Sequence, residues 1–342
     1  MGEFRLRARE GDFIEASDGL IFDVKGLVHP PDRVIAYLRY VPDRRGSRER
    51  RGVKYQKVYD LTARANLLRS RWPAYLYQDP VLNREVQAIP VDMIKQHYLP
   101  TERFAGLLHE TELDQQERLA LDMTKSLVKE TGIPASKIGV SGSILVGLHT
   151  ARSDIDLVLY GSGVARKCHS KLQAFLSTCS EGFTPYATGD LRKLYVRRNQ
   201  SASLSFQAFA RQERVKVLQG KFKGTDYFIR CVKEWDEWQE AYGDREYYQA
   251  GRATVHATIS DDSESIFTPC IYHLVHARAT RGFRAPAQIV SFRGRFCEQA
   301  HTGEEILARG TLERVVSSRG EAYRLVIGEN PRDCLMVVGR RG

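Results

Sequence analysis

Two aspartates, Asp154 and Asp156, stand one apolar residue apart and are followed by Leu157-Val158-Leu159-Tyr160. Such an apolar run reads as a buried strand, and alternate strand residues share a face. Both carboxylates therefore project together while Ile155 turns into the core. Aspartate is disfavoured in strands, so a pair of them there calls for a reason. Like charges held a few ångströms apart in a poorly solvated site repel unless a cation neutralises them. Carboxylate oxygens select magnesium or manganese for that task. Ten residues separate this pair from Gly142-Ser143. A glycine at a strand-to-helix turn lets the backbone approach a phosphate closely. The free N–H groups of the helix start and the Ser143 hydroxyl add donors to that anion. A phosphate-gripping loop beside a metal-bearing strand is the arrangement phosphoryl transfer requires. A triphosphate also needs basic side chains, for which Arg152, Lys193, Arg211, Arg214 and Arg230 are candidates, each alternatively a solvated surface charge. His149, in the motif loop, reads as a histidine bonded to backbone.

The surrounding pattern supplies elements to hold these groups. Residues 113–131 carry apolar side chains at helical spacing, and Gly132-Ile133-Pro134 ends the run. A strand is expected at 137–141, then a tight turn and short helix, then the aspartate strand at 155–160. Helices follow at 162–178 and 203–218, with a further strand from about 226 to 232. Before them, strands at 19–24 and 33–41 and a short helix at 60–71 make an α+β module. Between these, residues 44–52 look too charged and glycine-broken to pack and are expected to form an exposed loop. After Gly251 short β-rich runs dominate, at 253–259, 266–276, 288–297, 306–316 and 322–327, as in a small barrel or sandwich. The expected organisation is α+β throughout, with an N-terminal module at 1–105, a central domain at 106–250 and a C-terminal β-rich, OB-like domain at 251–342.

Gly142-Ser143, a spacer of this length and a hydrophobic-flanked Asp154-Ile155-Asp156 resemble the signature of the DNA-polymerase-β nucleotidyltransferase superfamily. The likeness is close over about thirty residues and extends in outline over residues 113–240. The whole chain also looks like archaeal-type predicted nucleotidyltransferases. The resemblance implies a mixed-sheet core in which Asp154 and Asp156 bind magnesium or manganese. It also implies that Gly142, Ser143 and a neighbouring base such as Arg152 bind a nucleoside triphosphate. Members usually carry a third carboxylate on an adjacent strand as general base and metal ligand. Asp226 fits that place, with a turn-capping aspartate as the alternative reading, and Asp190, in a loop-like Gly-Asp context, stands second. A bare Asp-x-Asp also occurs in glycosyltransferases that use nucleotide sugars, on a different fold.

The formal net charge of +10 favours an anionic partner. A cation–aromatic stretch (Arg44–Arg51, then Lys54, Tyr55, Lys57 and Tyr59) and a C-terminal arginine–phenylalanine stretch point to RNA, tRNA included, as acceptor. The alternatives are a protein side chain as acceptor, or an RNA-binding protein on the same fold without turnover. The six scattered cysteines form no CxxC and read as reduced, structural residues. No apolar run is long enough to span a membrane, and the first ten residues lack a signal's apolar core, so the cytoplasm is the expected compartment.

Overall fold

The computed structural model describes residues 6–198 and 204–340. Among these, nineteen strands in three sheets and seven α-helices make a mixed α+β protein. The chain divides into two compact units. One holds the chain up to Pro80, Arg84–Thr184 and Gln219–Tyr242; the other holds Val81–Asn83, Pro185–Leu218 and the chain from Gly243 onward. No helix among the described residues is long and apolar enough to cross a membrane. Residues 1–5, half of the N-terminal stretch read above, lie outside the described residues.

The first unit begins with an eight-stranded sheet. Its strands are β1 (Phe13–Ala16), β2 (Ile21–Val24), β3 (Arg33–Pro42), β4 (Arg48–Arg50), β5 (Val53–Lys57), β6 (Leu76–Asp79), β7 (Arg84–Pro90) and β8 (Ile94–Tyr98). The main path runs β4-β5-β3-β2-β1-β8, with β7 pairing with β3 and β6 with β7. Helix α1 (Leu61–Arg71) is capped by Asp60, whose carboxylate accepts from the Ala63 N–H. It sends Leu68 into a core with Ile14, Phe22, Leu38 and Tyr75.

Of the expected exposed loop at 44–52, residues 44–47 form no strand and are mostly exposed, whereas 48–52 belong to a hairpin. β4 and β5 pair across Arg51-Gly52, both at positive φ, which is the backbone a tight two-residue hairpin turn needs. Charge does not prevent packing here because the Arg48 and Arg50 guanidiniums find carbonyl and carboxylate partners.

The rest of this unit is built on a five-stranded sheet. In chain order it comprises α2 (Pro100–His109), α3 (Gln115–Thr131), β9 (Ile138–Val140), α4 (Gly142–Leu145), β10 (Ile155–Tyr160), α5 (Ser162–Thr178), β11 (Phe183–Thr184), β12 (Gln219–Phe222) and β13 (Thr225–Val232). The strand order is β11-β12-β13-β10-β9. β10 lies antiparallel to β9 and parallel to β13, so the chain must cross over between β10 and β13, with α5 on the way. Helix α3 starts at Gln115 because Asp114 and Glu117 form a reciprocal capping box, and it ends on Gly132 in the left-handed region. Its buried face carries Ala120, Met123 and Leu127.

In the second unit, α6 (Thr188–Arg198) and α7 (Phe206–Arg214) precede β14 (Arg245–Asp261), β15 (Cys270–Ala279), β16 (Gln288–Ser291), β17 (Glu304–Ser317), β18 (Gly320–Val326) and β19 (Cys334–Arg340). Each of β14, β15, β16, β18 and β17 pairs with the next, β17 pairs back with β14, and β19 adds to β17. The helical segment between β11 and β12 is anchored here. Gln212 donates to the Gln299 and Leu335 carbonyls, and the Glu298 carboxylate accepts from the Val217 and Leu218 N–H groups. The helix expected at 203–218 is shorter, and Ser203 lies outside the described residues. Asp190, read as loop, sits in the first turn of α6 and accepts from the Ala187 N–H. The Gly-Asp pair there starts a helix. The run at 288–297 is a strand only to Ser291 and then a short turn of 3-10 helix.

Candidate active site

Ile155 and Leu157 of β10 are buried, whereas Asp156 is half-buried and Asp154, just before the strand, is exposed. Across the parallel ladder Asp156 lies level with Phe228. Two residues earlier on β13, Asp226 shares that face, and its Oδ1 accepts from Lys221 Nζ at 2.8 Å. The turn after β9 closes over the acid pair. The Ser141 N–H donates to the Asp156 carbonyl at 2.8 Å, and Ser141 Oγ donates to the Gly11 carbonyl at 2.6 Å. Gly142 follows at φ +63°, and a Cβ there would lie 2.0 Å from Asp156 Oδ2. No residue but glycine fits without displacing the carboxylate.

Gly142, Ser143 and Asp156 line a cleft whose other wall comes from the N-terminal sheet, including Asp23, Arg39, Tyr40 and Lys57, with Phe228 and Arg230 from β13. The acids in and around it differ sharply in pairing. Asp23 bonds Lys25 at 2.9 Å, Glu10 bonds Lys25 and Arg230, and Asp226 bonds Lys221. Among the described residues, the Asp154 and Asp156 carboxylates take part in no hydrogen bond or ion pair, and the Arg39 and Lys57 side chains meet no carboxylate.

Burial, and then the Asp154 charge, push the Asp156 carboxyl up to about 6 against the pull of Lys57, Arg230 and Arg39. Burial, then Arg39 and Arg48, lower Lys57 to about 8. Burial would raise Asp23, but Lys25, Arg230 and Arg39 outweigh it and hold the group at about 2. An under-neutralised acid pair thus faces under-neutralised cations across a half-enclosed cleft.

The hairpin β4–β5 fixes the loop between α4 and β10. Arg48 donates to the Leu148 carbonyl and to Ser153 Oγ. Arg50 donates to Glu15 at 2.6 Å, to the Tyr98 hydroxyl at 2.8 Å and to the Val146 carbonyl at 3.3 Å. Leu145, Val146 and Leu148 bury themselves against Phe13, Ile21, Tyr40 and Tyr55. Each such burial is worth ~2 kcal/mol, so the N-terminal sheet and the motif loop hold together as one piece.

No family model matches the chain, and no solved structure matches it. The uncharacterized protein MJ1086 of Methanocaldococcus jannaschii is 32% identical over 342 aligned positions, which span 94% of this chain and 96% of that protein. The chain belongs to the MJ1086 family.

In this member of the MJ1086 family Gly142, Ser143 and Asp156 line one cleft, with Asp154 beside them and Asp226 on the neighbouring strand. Arg152 is exposed and is not among the cleft's lining residues; Lys193, Arg211 and Arg214 belong to α6 and α7 of the other unit. Of the basic candidates only Arg230 reaches the cleft. His149 bonds the Asp114 carboxylate at 2.5 Å and not backbone, because Asp114 is held at the start of α3 by its cap. Asp114, Glu117 and His149 stand close enough to share a cation, but the capping box already occupies both carboxylates.

The charged cleft residues of this MJ1086-family chain that the sequence did not single out for the site are Arg39 and Asp23. The available signal was a lone charge inside each apolar β-run, Arg39 among Ala36-Tyr37-Leu38 and Asp23 after Leu20-Ile21-Phe22. Lys57 was noted only as part of a basic aromatic stretch. Of the cysteines, Cys168, Cys231, Cys270, Cys297 and Cys334 are buried and Cys179 is exposed.

Proposed function

We propose that this protein is a nucleotidyltransferase with a polymerase-β-like core, transferring a nucleoside monophosphate from a nucleoside triphosphate to an RNA hydroxyl and releasing pyrophosphate. The observation that carries the reading is the Asp154–Asp156 pair, without a hydrogen bond or ion pair to any described side chain and overlaid by Gly142.

The donor set fits magnesium or manganese. Two hard carboxylates share a strand face without internal partners, while Asp226 stands on the adjacent strand, bonded to Lys221. Asp154 and Asp156 would hold the cation. Bound there, it supplies Lewis-acid polarisation of the phosphoryl oxygens and lowers the pKa of an attacking hydroxyl.

The chain's own groups do the rest. Gly142 lets the polyphosphate approach the backbone, and the Ser143 hydroxyl donates to it. Arg230, which also lines the cleft, offsets its charge. Oδ1 of Asp226 is engaged by Lys221, which leaves Oδ2 to take the proton of the acceptor hydroxyl. The acceptor oxygen forms a bond to the α-phosphorus, the α–β phosphoanhydride bond breaks, and pyrophosphate leaves with that electron pair. The ring of pairings through β14, β15, β16, β18 and β17 supports a small β-barrel as the second unit, a scaffold suited to nucleic acid.

Pyrophosphate release with each nucleoside triphosphate, magnesium and cellular RNA tests the reading. The wild type is expected to release it, and Asp154→Asn/Asp156→Asn to lose about a thousandfold or more of that rate, the scale of losing electrostatic stabilisation of the transition state. Absence of release with all four nucleotides contradicts it.

A further inference from the structure

Resting on that reading, we infer that Tyr59, with Arg39 and Lys57, holds the terminal nucleotide of a single-stranded RNA acceptor beside the Asp154–Asp156 pair. The sequence segment that carries Tyr59 is basic and aromatic throughout, but most of it is committed elsewhere. Tyr55 is 4% exposed and its hydroxyl accepts from Arg50, while Arg48 and Arg50 grip the motif loop. Tyr59 is different: it is 64% exposed. It lies between the end of β5 and Asp60, the cap of α1, so its backbone is fixed on both sides while its ring stays open.

Two cations connect that ring to the acids. Lys57 Nζ stands 5.0 Å from the Tyr59 ring centroid and the Arg39 guanidinium carbon 5.9 Å. Both side chains also line the cleft that contains Asp156, and neither meets a carboxylate among the described residues. The face thus offers, in continuous order, a ring for a base, two positive charges for a phosphate, and carboxylates for the hydroxyl that reacts.

An unstacked base with its own phosphate matches that order, because aromatic faces take bases of any sequence and cations take the backbone. A base inside a duplex is already stacked and presents no free face, so the acceptor end is single-stranded. A protein hydroxyl would use neither the ring nor the paired cations.

Fluorescence anisotropy with a 5′-labelled RNA of about 12 nucleotides, within the usual span of single-strand sites, tests this without nucleotide or divalent cation. A blunt RNA duplex of the same length serves as comparison. Tyr59→Ala is expected to bind the single strand about tenfold more weakly than wild type, the scale of one lost stacking contact. Tyr59→Phe should stay within about threefold, since the π-face remains. Arg39→Gln/Lys57→Gln should weaken binding and flatten its salt dependence by about two phosphate contacts. Single-strand binding by Tyr59→Ala equal to wild type, or duplex binding with the same dependence on Tyr59, overturns the inference. The two readings fail separately. Intact Tyr59-dependent binding with no pyrophosphate release removes only the catalytic reading. Pyrophosphate release by Tyr59→Ala with an unchanged KM for RNA, or transfer to protein, removes only the acceptor site.

Discussion

Gly142 and Asp156 occupy adjoining space that one methyl group would fill: a Cβ on Gly142 would lie 2.0 Å from the Asp156 carboxylate oxygen. The turn and the acid strand are therefore a single device. The turn is held down by the Ser141 N–H on the Asp156 carbonyl, so it cannot lift to make room.

Gly142→Ala should cost about 1–2 kcal/mol of stability from the left-handed backbone alone. The larger effect falls on the acid pair, whose displacement should weaken manganese binding by about tenfold or more, on the scale of disturbing a metal ligand's immediate support. Calorimetric titration with manganese and denaturant melts check both. Wild-type affinity in the alanine variant would mean that the carboxylate does not depend on the turn.

The raised Asp156 carboxyl makes the acid pair a stability cost with a definite sign. Its folded value of about 6 exceeds the ordinary 3.8, so between these the unfolded chain releases its proton first and stability falls as pH rises. Above about 6 the loss is complete, and below about 4 it is absent. Without divalent cations, Asp156→Asn should be more stable than wild type by ~3 kcal/mol at pH 8 and equal to it near pH 4. Urea melts across that range read the difference directly.

A bound divalent cation should reverse that cost. Manganese at about a hundred times its Kd should raise wild-type stability by ~2.7 kcal/mol. Asp154→Asn/Asp156→Asn should gain nothing. Asp114→Ala should lose about 1 kcal/mol through its missing helix cap, yet respond to manganese like the wild type. An Asp114→Ala protein that no longer responds would move the metal to the Asp114–Glu117–His149 cluster.

Arg50 ties Glu15 and Tyr98 to the Val146 carbonyl with a side chain only 15% exposed. Arg50→Ala leaves Glu15 with Lys95 and Tyr98 as partners. The expected loss is therefore ~2 kcal/mol, below the 3–5 typical of a fully orphaned buried charge. A loss under about 0.5 kcal/mol, the range of an ordinary surface change, would show that the hairpin does not brace the motif loop.

The central elements were legible because their signals are local. The alternation around Asp154-Ile155-Asp156 and the helical period of α3 and α5 each lie within one stretch of chain. The helix bounds for α5 match residue for residue. What stayed hidden depends on pairing between distant segments. Arg48 and Arg50 read as solvent charges because their partners, Leu148 and Glu15, lie 100 and 35 residues away in sequence. Arg39 and Asp23 reach the cleft only once the N-terminal sheet lies against the motif loop. Arg152, adjacent to the acids in sequence, is turned out to solvent, so proximity along the chain misled where strand geometry did not.

The most direct test of nucleotidyl transfer is incubation with each α-labelled nucleoside triphosphate, magnesium and total cellular RNA, followed by separation of RNA from protein. The expected result is label in RNA with wild-type protein and none with Asp154→Ala/Asp156→Ala. Label that persists in the double variant, or no label with any nucleotide despite tight RNA binding, would contradict catalysis at this acid pair.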